Sequence, residues 1–267
     1  MKMTAAEIFK SVEDIRAKSP LIHNITNYVV MNNTANALLA IGASPVMIHA
    51  EEEVEEMAAM ASALVINIGT MSSPWVRAMF KAFAMAAGKG VPVVIDPVGA
   101  GATRYRTETI RELISAGRPT IIRGNASEIM ALTDDRLITR GVDSTAASNE
   151  ALYAARHISE KHQCAVCISG AIDYIVAGKR VVKIANGHPL MTRVTGLGCT
   201  ASAICGAFAA VEKDALTAAA GAMAVMGIAG EMAAEKAAGP GSLQMQFLDV
   251  LYQLAARDIA KRLKMEE

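Results

Sequence analysis

Residues 91–132 read VPVVIDPVGAGATRYRTETIRELISAGRPTIIRGNASEIMAL, and their pattern decides the fold class. VPVVID (91–96) is a short β-branched run closed by an acidic residue, and PTIIRG (119–124) is a second such run. Between them residues 105–116 read as a helix, and another helix follows over 126–132. Two apolar strands joined by a helical crossover form a parallel βαβ unit, whose connection is right-handed.

The same alternation extends outward in both directions. Upstream lie the strands LIHNIT (21–26), PVMI (45–48) and ALVINIG (63–69), and downstream lies CAVCISG (164–170). Helices are expected near 29–40, 51–60, 74–87 and 144–161. Repeated βα alternation predicts an α/β protein in three layers, helix–sheet–helix, with a mostly parallel central sheet. After Gly170 the pattern changes. Asp173–Val176 and Arg180–Ile184, separated by Ala-Gly-Lys, read as a hairpin, and segments 199–211, 213–238 and 241–264 read as Ala-rich helices. Gly239-Pro240-Gly241 is a breaker between the last two. With no repeat and no linker, residues 1–267 are expected to form one domain.

Composition sets limits on function. Apolar residues make up 52% of the chain and aromatic residues only 4%, so Ala, Val, Ile, Leu and 16 Met must fill the core. Lys plus Arg and Asp plus Glu number 26 each, which leaves no global field to attract nucleic acid or an anionic membrane. A small-molecule partner is expected instead. The start, MKMTAAEIFKSVEDIRAKS, carries acidic residues and no apolar h-region, which points to a cytoplasmic protein. Val194–Val211 is an 18-residue stretch without a charge, but its glycines, hydroxyls and alanines make it a buried helix rather than a membrane span. Cys164 and Cys167 have redox-motif spacing, yet a separation of three along a strand puts their side chains on opposite faces.

The strongest chemical signal is Val194-Thr195-Gly196-Leu197-Gly198-Cys199-Thr200-Ala201, a glycine-rich turn running into the uncharged helix. The first amides of a helix are unpaired donors at the positive end of its dipole, so such a turn suits phosphate oxygens. A tight turn with no ligand is the competing reading. The match to G-x-G-x-x-A also allows an NAD-dependent oxidoreductase, but no strand with a ribose-binding carboxylate follows it. No P-loop motif occurs. Asp96 closes an apolar strand and Glu128 follows the next one, so both fall on the C-terminal strand edge where ligands collect. Two carboxylates suit Mg²⁺, which completes its shell with waters and phosphates. Equally, Asp96 reads as a turn residue before Pro97 and Glu128 as a capping residue. Arg123 offers a forked donor for phosphate or is a plain surface cation. A thiol at the start of a helix, Cys199, can have a lowered pKa and serve as a base, although a nearby triphosphate would raise that pKa again, and a small buried residue is the competing reading. The acidic run Glu51-Glu52-Glu53 reads as a solvated first turn, and the five His lack zinc spacing.

Taken together, HNITNYVVMNNTANALLAIGASPVM (23–47), VVIDPVGAGATRYR (93–106), IIRGNASEI (121–129) and VTGLGCTASA (194–203) resemble the hydroxyethylthiazole kinase family, in the family's order over nearly the whole chain. The resemblance implies a ribokinase-like fold, transfer of the γ-phosphate of ATP to 4-methyl-5-(2-hydroxyethyl)thiazole with Mg²⁺, and a place in thiamine salvage. It also implies a homotrimer with active sites at subunit interfaces. On this resemblance Met47 and Gly196 contact the thiazole, with Asn27 nearby. Arg123 and Ser169 bind ATP, the serine standing where many relatives have Thr. Asp96 and Glu128 serve the metal and phosphates. Gly198 and Cys199 sit at the reacting centre, where most ribokinase-like enzymes place an Asp base. The amides from Gly198 to Thr200 are expected to form the anion hole. Ribokinase-like kinases for hydroxymethylpyrimidine or pyridoxal are the nearest rivals, and they normally lack HNITN.

Overall fold

The computed structural model describes residues 3–133 and 144–267, with the side chains of 144–148 left aside. The helix α1 (Ala5–Lys18) is fixed at its start by a capping box between Thr4 and Glu7. Then come β1 (Leu21–Ile25), α2 (Met31–Ile41), β2 (Ser44–Val46), α3 (Val54–Met60), β3 (Ala63–Asn67), α4 (Ser73–Lys89) and β4 (Val93–Asp96). The series continues with α5 (Arg104–Ser115), β5 (Ile121–Asn125), α6 (Ala126–Ala131), α7 (Ser144–His162) and β6 (Ala165–Ser169). The antiparallel pair β7 (Asp173–Ala177) and β8 (Arg180–Ile184) is followed by a 3₁₀ turn (Pro189–Arg193). Next come α8 (Leu197–Ala209), α9 (Ala215–Ala234), α10 (Pro240–Gln253), α11 (Ala256–Arg262) and a two-residue β9 (Met265–Glu266).

The strands form one sheet in the order β2-β1-β3-β4-β5-β6-β7-β8-β9, parallel from β2 to β6 and antiparallel beyond. Alternation along the buried strands divides their side chains between two cores. Ile22, Val65, Val94, Ile121 and Cys167 face α1, α2 and α8–α10, while Ile25, Ile66, Ile95, Ile122 and Cys164 face α3–α5 and α7. Cys164 and Cys167 thus lie on opposite faces, both buried. The helix α9 is long and apolar enough to cross a bilayer, but 78% of its apolar window is buried inside the protein. Its face-to-face burial with α8 relies on small residues: Phe208 of α8 packs where a side chain on Gly221 of α9 would sit.

The hairpin positions the site. Because β7 runs back along β6 and β8 returns, the chain re-emerges at the C-terminal edge of the parallel strands. The glycine turn 194–198 and the N-terminus of α8 therefore stand over that edge. Three features depart from the sequence expectation. The helix α1 lay outside it. The segment 241–264 breaks at Leu254–Ala255, where Leu254 is buried and the Ala255 amide is capped by Asp258. The short β9 pairs with β8 and closes the sheet.

Candidate active site

Asn67, Asp96 and Arg123 end or nearly end three neighbouring strands and share the parity of Val65, Val94 and Ile121, so all three point toward α8. Asn67 and Asp96 are register partners. The Asp96 carboxylate, 1% exposed, accepts at Oδ2 from Asn67 Nδ2 (2.7 Å) and Ser202 Oγ of α8 (2.8 Å). Asn67 Oδ1 accepts in turn from Asn27 Nδ2 (2.9 Å) and the Gly69 amide (2.9 Å), and Asn27 Nδ2 also reaches Cys199 Sγ (3.4 Å). A continuous polar chain thus runs Ser202–Asp96–Asn67–Asn27–Cys199 under the start of α8.

Burial pushes the Asp96 pKa up to about 6, against the pull of Arg123, and the nearby negative charge of Glu128 adds to the rise. Glu128 is the N3 residue of α6 and forms a capping box with Asn125. Its Oε2 accepts from the Asn125 amide (2.8 Å) and its Oε1 from the Gly99 amide (2.8 Å), tying the 97–101 loop to α6. The capping reading of Glu128 is therefore real, and it leaves the carboxylate beside Asp96. Asp96, fully desolvated, and Glu128, close enough for its charge to act on Asp96, are oxygen donors of the kind a hard cation takes. Among the described residues no group of three or more His, Cys, Asp or Glu lies together.

Gly196 caps α8 with φ +85°, a conformation that L side chains rarely adopt, and a Cβ there would lie 2.6 Å from Val30 Cγ1. Gly198 allows a different closeness: its missing Cβ would sit 3.2 Å from a terminal nitrogen of Arg123. The first bond of the helix ladder is Thr200 N to Gly196 O (2.8 Å). The amides outside the ladder are therefore those of Leu197, Gly198 and Cys199, one residue earlier than the expected Gly198–Thr200 set. Asn33 Nδ2 of α2 holds Thr200 Oγ1 (3.2 Å) and Gln244 Nε2 of α10 holds Asn33 Oδ1 (2.9 Å), which fixes the helix end in place.

Cys199 departs from expectation. Burial, and then the negative charge of Asp96, push its pKa up to about 11 in spite of its place in the first turn of α8, so the thiol stays protonated at neutral pH.

Arg123 has a buried Nε without a hydrogen-bond partner and faces a cleft of about 620 Å³. Ser169, Gly198, Asp173 and Asn186 share the lining of this cleft. Ser169 Oγ donates to Gly124 O (3.2 Å). Burial raises the Asp173 carboxyl to about 6. Met47 follows the edge strand β2, outside the polar chain, and its carbonyl meets His49 Nδ1 at 3.4 Å. Nearby, Tyr28, His49 and Trp75 form a ring cluster, with His49 and Trp75 centroids 4.3 Å apart.

Sequence reasoning missed Asn67, Ser202 and Asp173. Asn67 carries the same signal as Asp96, a polar residue ending an apolar strand. Ser202 could be found only by knowing which face of α8 meets the sheet.

The profile of the Hydroxyethylthiazole kinase family matches residues 12–257 of this geometry. The chain belongs to that family. It is 60% identical over 266 residues to a hydroxyethylthiazole kinase of Syntrophus aciditrophicus, covering 99% of this chain and 98% of that one. The solved hydroxyethylthiazole kinase protein of Pyrococcus horikoshii OT3 superposes with a TM-score of 0.89 at 44% identity, covering 97% and 98% of the two chains. A ribokinase-like superfamily protein of Enterococcus faecalis V583 shares the fold at a TM-score of 0.66 and 12% identity, over 95% and 96%. The kinase thus has the ribokinase-like α/β/α fold expected from its sequence.

Proposed function

We propose that the protein transfers the γ-phosphate of ATP to the hydroxyl of 4-methyl-5-(2-hydroxyethyl)thiazole, the salvage step that feeds thiamine synthesis. The observation that carries this reading is the junction of a helix N-terminus with three unpaired amides, the unpartnered Nε of Arg123 and the Asp96–Glu128 pair at one strand edge. Phosphoryl transfer needs alignment and charge stabilisation more than covalent chemistry, and these are what the edge supplies. The amides of Leu197, Gly198 and Cys199 take the charge that builds on the transferred group. Arg123 and Ser169 hold the donor phosphates. Asp96 and Glu128 would hold Mg²⁺, which when bound neutralises phosphate charge. Gly196, Met47 and Asn27 form the acceptor side, and Asn27 orients the Cys199 thiol.

With its pKa pushed up to about 11, Cys199 is a neutral neighbour of the attacking hydroxyl and not a standing base. Asp96, reached from Cys199 through Asn27 and Asn67, is the nearest carboxylate on the polar chain. The whole of 1–267 acts as one cytoplasmic kinase domain, a reading supported by the single sheet. A homotrimer is supported by exposed apolar side chains along two adjoining helices: Tyr28 and Val29 before α2, Leu39 on α2, and Met245 and Tyr252 on α10. Light scattering should give three times 28.1 kDa.

The deciding experiment incubates the protein with ATP, Mg²⁺ and the thiazole alcohol and identifies the product by mass. Hydroxymethylpyrimidine and pyridoxal serve as rival acceptors. Phosphorylation of the thiazole above both rivals is expected, and its absence in a folded protein would sink the reading.

A further inference from the structure

The cleft beyond Arg123 continues between the 186–193 loop and α9, and its far end is built differently from its phosphate end. Met223 and Met226, three residues apart on α9 and largely buried, line it from the helix, and Met191 of the 3₁₀ turn, packed on the same helix at Gly230, lines it beside them. The loop lies directly on the helix: a Cβ on Gly227 would be 2.5 Å from Asn186 O, and one on Gly230 would run into the Met191 sulfur. The result is a thioether-walled slot of fixed position.

The side-chain donors of Asn186 and Thr192 around this slot are engaged within the protein, and only His188 Nε2, on the exposed rim, is left to donate. Asn186 spends Nδ2 on Glu231 Oε1 (3.2 Å) and Arg262 O (2.8 Å), and its Oδ1 accepts the Lys264 amide (2.8 Å). The Gly187 amide goes to Glu231 Oε1 (3.1 Å), and the Thr192 hydroxyl to Pro189 O (2.8 Å). His188, on the exposed rim, uses Nδ1 to accept the Leu190 amide (3.2 Å). Asp173 sits at the other end, where its charge acts on Arg123. Methionine offers a polarisable surface that suits any flat heterocycle and reads no hydrogen-bonding edge.

We propose that this kinase does not read the base of its phosphoryl donor: the slot lined by Met191, Met223 and Met226 accepts any purine, and the phosphates set affinity. This rests on the reading that ATP occupies the cleft. A site that hydrogen-bonds a substrate edge rejects an analogue lacking it by about 10⁴-fold or more, whereas shape alone gives about 10²-fold.

The experiment measures equilibrium binding of ADP, GDP and IDP by calorimetry, then kcat/KM with ATP, GTP and ITP on the thiazole alcohol. Affinities and kcat/KM values within about 100-fold of one another are expected. A wider spread overturns the proposal. Met226→Trp, which fills the slot, should weaken all three diphosphates together while leaving the KM for thiazole unchanged. Met191→Ala, on a half-buried side chain, serves the same purpose if Met226→Trp misfolds. Unchanged binding in a folded Met226→Trp protein, or in Met191→Ala where that variant is used, removes the slot as the base site. Base-indifferent binding without transfer to thiazole leaves the slot standing and sinks the acceptor assignment instead.

Discussion

The two ends of the sheet handle charge in opposite ways. At the N-terminal edge, Arg180 and Asp214 meet in a two-pronged pair at 2.8 and 2.9 Å, and Asp214 also caps α9 through Thr217. Its pKa is lowered to about 2, chiefly by Arg180. At the C-terminal edge, Asp96 is buried with a pKa near 6, and Arg123 keeps an unpartnered Nε. The first edge is finished within the chain. The second keeps a buried carboxyl with a raised pKa and a guanidinium nitrogen without a hydrogen-bond partner, at a cost in stability.

The comparison can be broken most directly at the phosphate turn. Gly198→Val should abolish transfer, by about 10³-fold or more in kcat, because the new side chain meets Arg123 and covers the free amides. A steady-state assay on folded protein checks this, and near-normal turnover would remove the turn from the chemistry. Asp96→Asn should cost about 10² to 10³-fold and raise the Mg²⁺ concentration needed for half-maximal rate. Cys199→Asp should keep or raise activity, within about tenfold of the parent or above it, since a neutral thiol gives little base help and a carboxylate can give more. Complete loss in a folded Cys199→Asp protein would make the thiol itself essential.

Stability against pH sharpens the contrast. A carboxyl raised from 3.8 to about 6 costs the folded state stability that sets in as pH rises through that window. The melting temperature of Asp96→Asn minus that of the parent should therefore climb between pH 4 and 7. For Asp214, lowered to about 2, the stabilisation is present above pH 4 and lost as pH falls toward 2. Asp214→Asn should be less stable at pH 7 by about 1 kcal/mol or less, and the deficit should vanish in acid. Equal slopes for the two variants would erase the distinction between the edges.

Much of this was legible in the sequence because strand ends announce themselves. VPVVID places Asp96 at the edge by its pattern alone, and the Ala-Gly-Lys turn between two β-branched runs announces the hairpin that returns the chain to the site. The break at Leu254–Ala255 was not legible, since neither residue is a breaker and the stop depends on burying Leu254. Nor was the thiol's environment: helix position argues for an acidic Cys199, but the packing of α8 over Asp96 decides otherwise. Asn67 and Ser202 went unnoticed because an Asn and a Ser acquire meaning only once Asp96 is seen between them.

The 186–193 loop carries one more consequence. Asn186 holds Arg262 and Lys264 near the end of the chain, and Lys264 Nζ reaches Glu231 at 2.8 Å. Residues 262–264 therefore lock one wall of the cleft that Arg123 faces. That wall is thus held by contacts 76 and 78 residues apart along the chain, so it can loosen without disturbing the strands or the glycine turn.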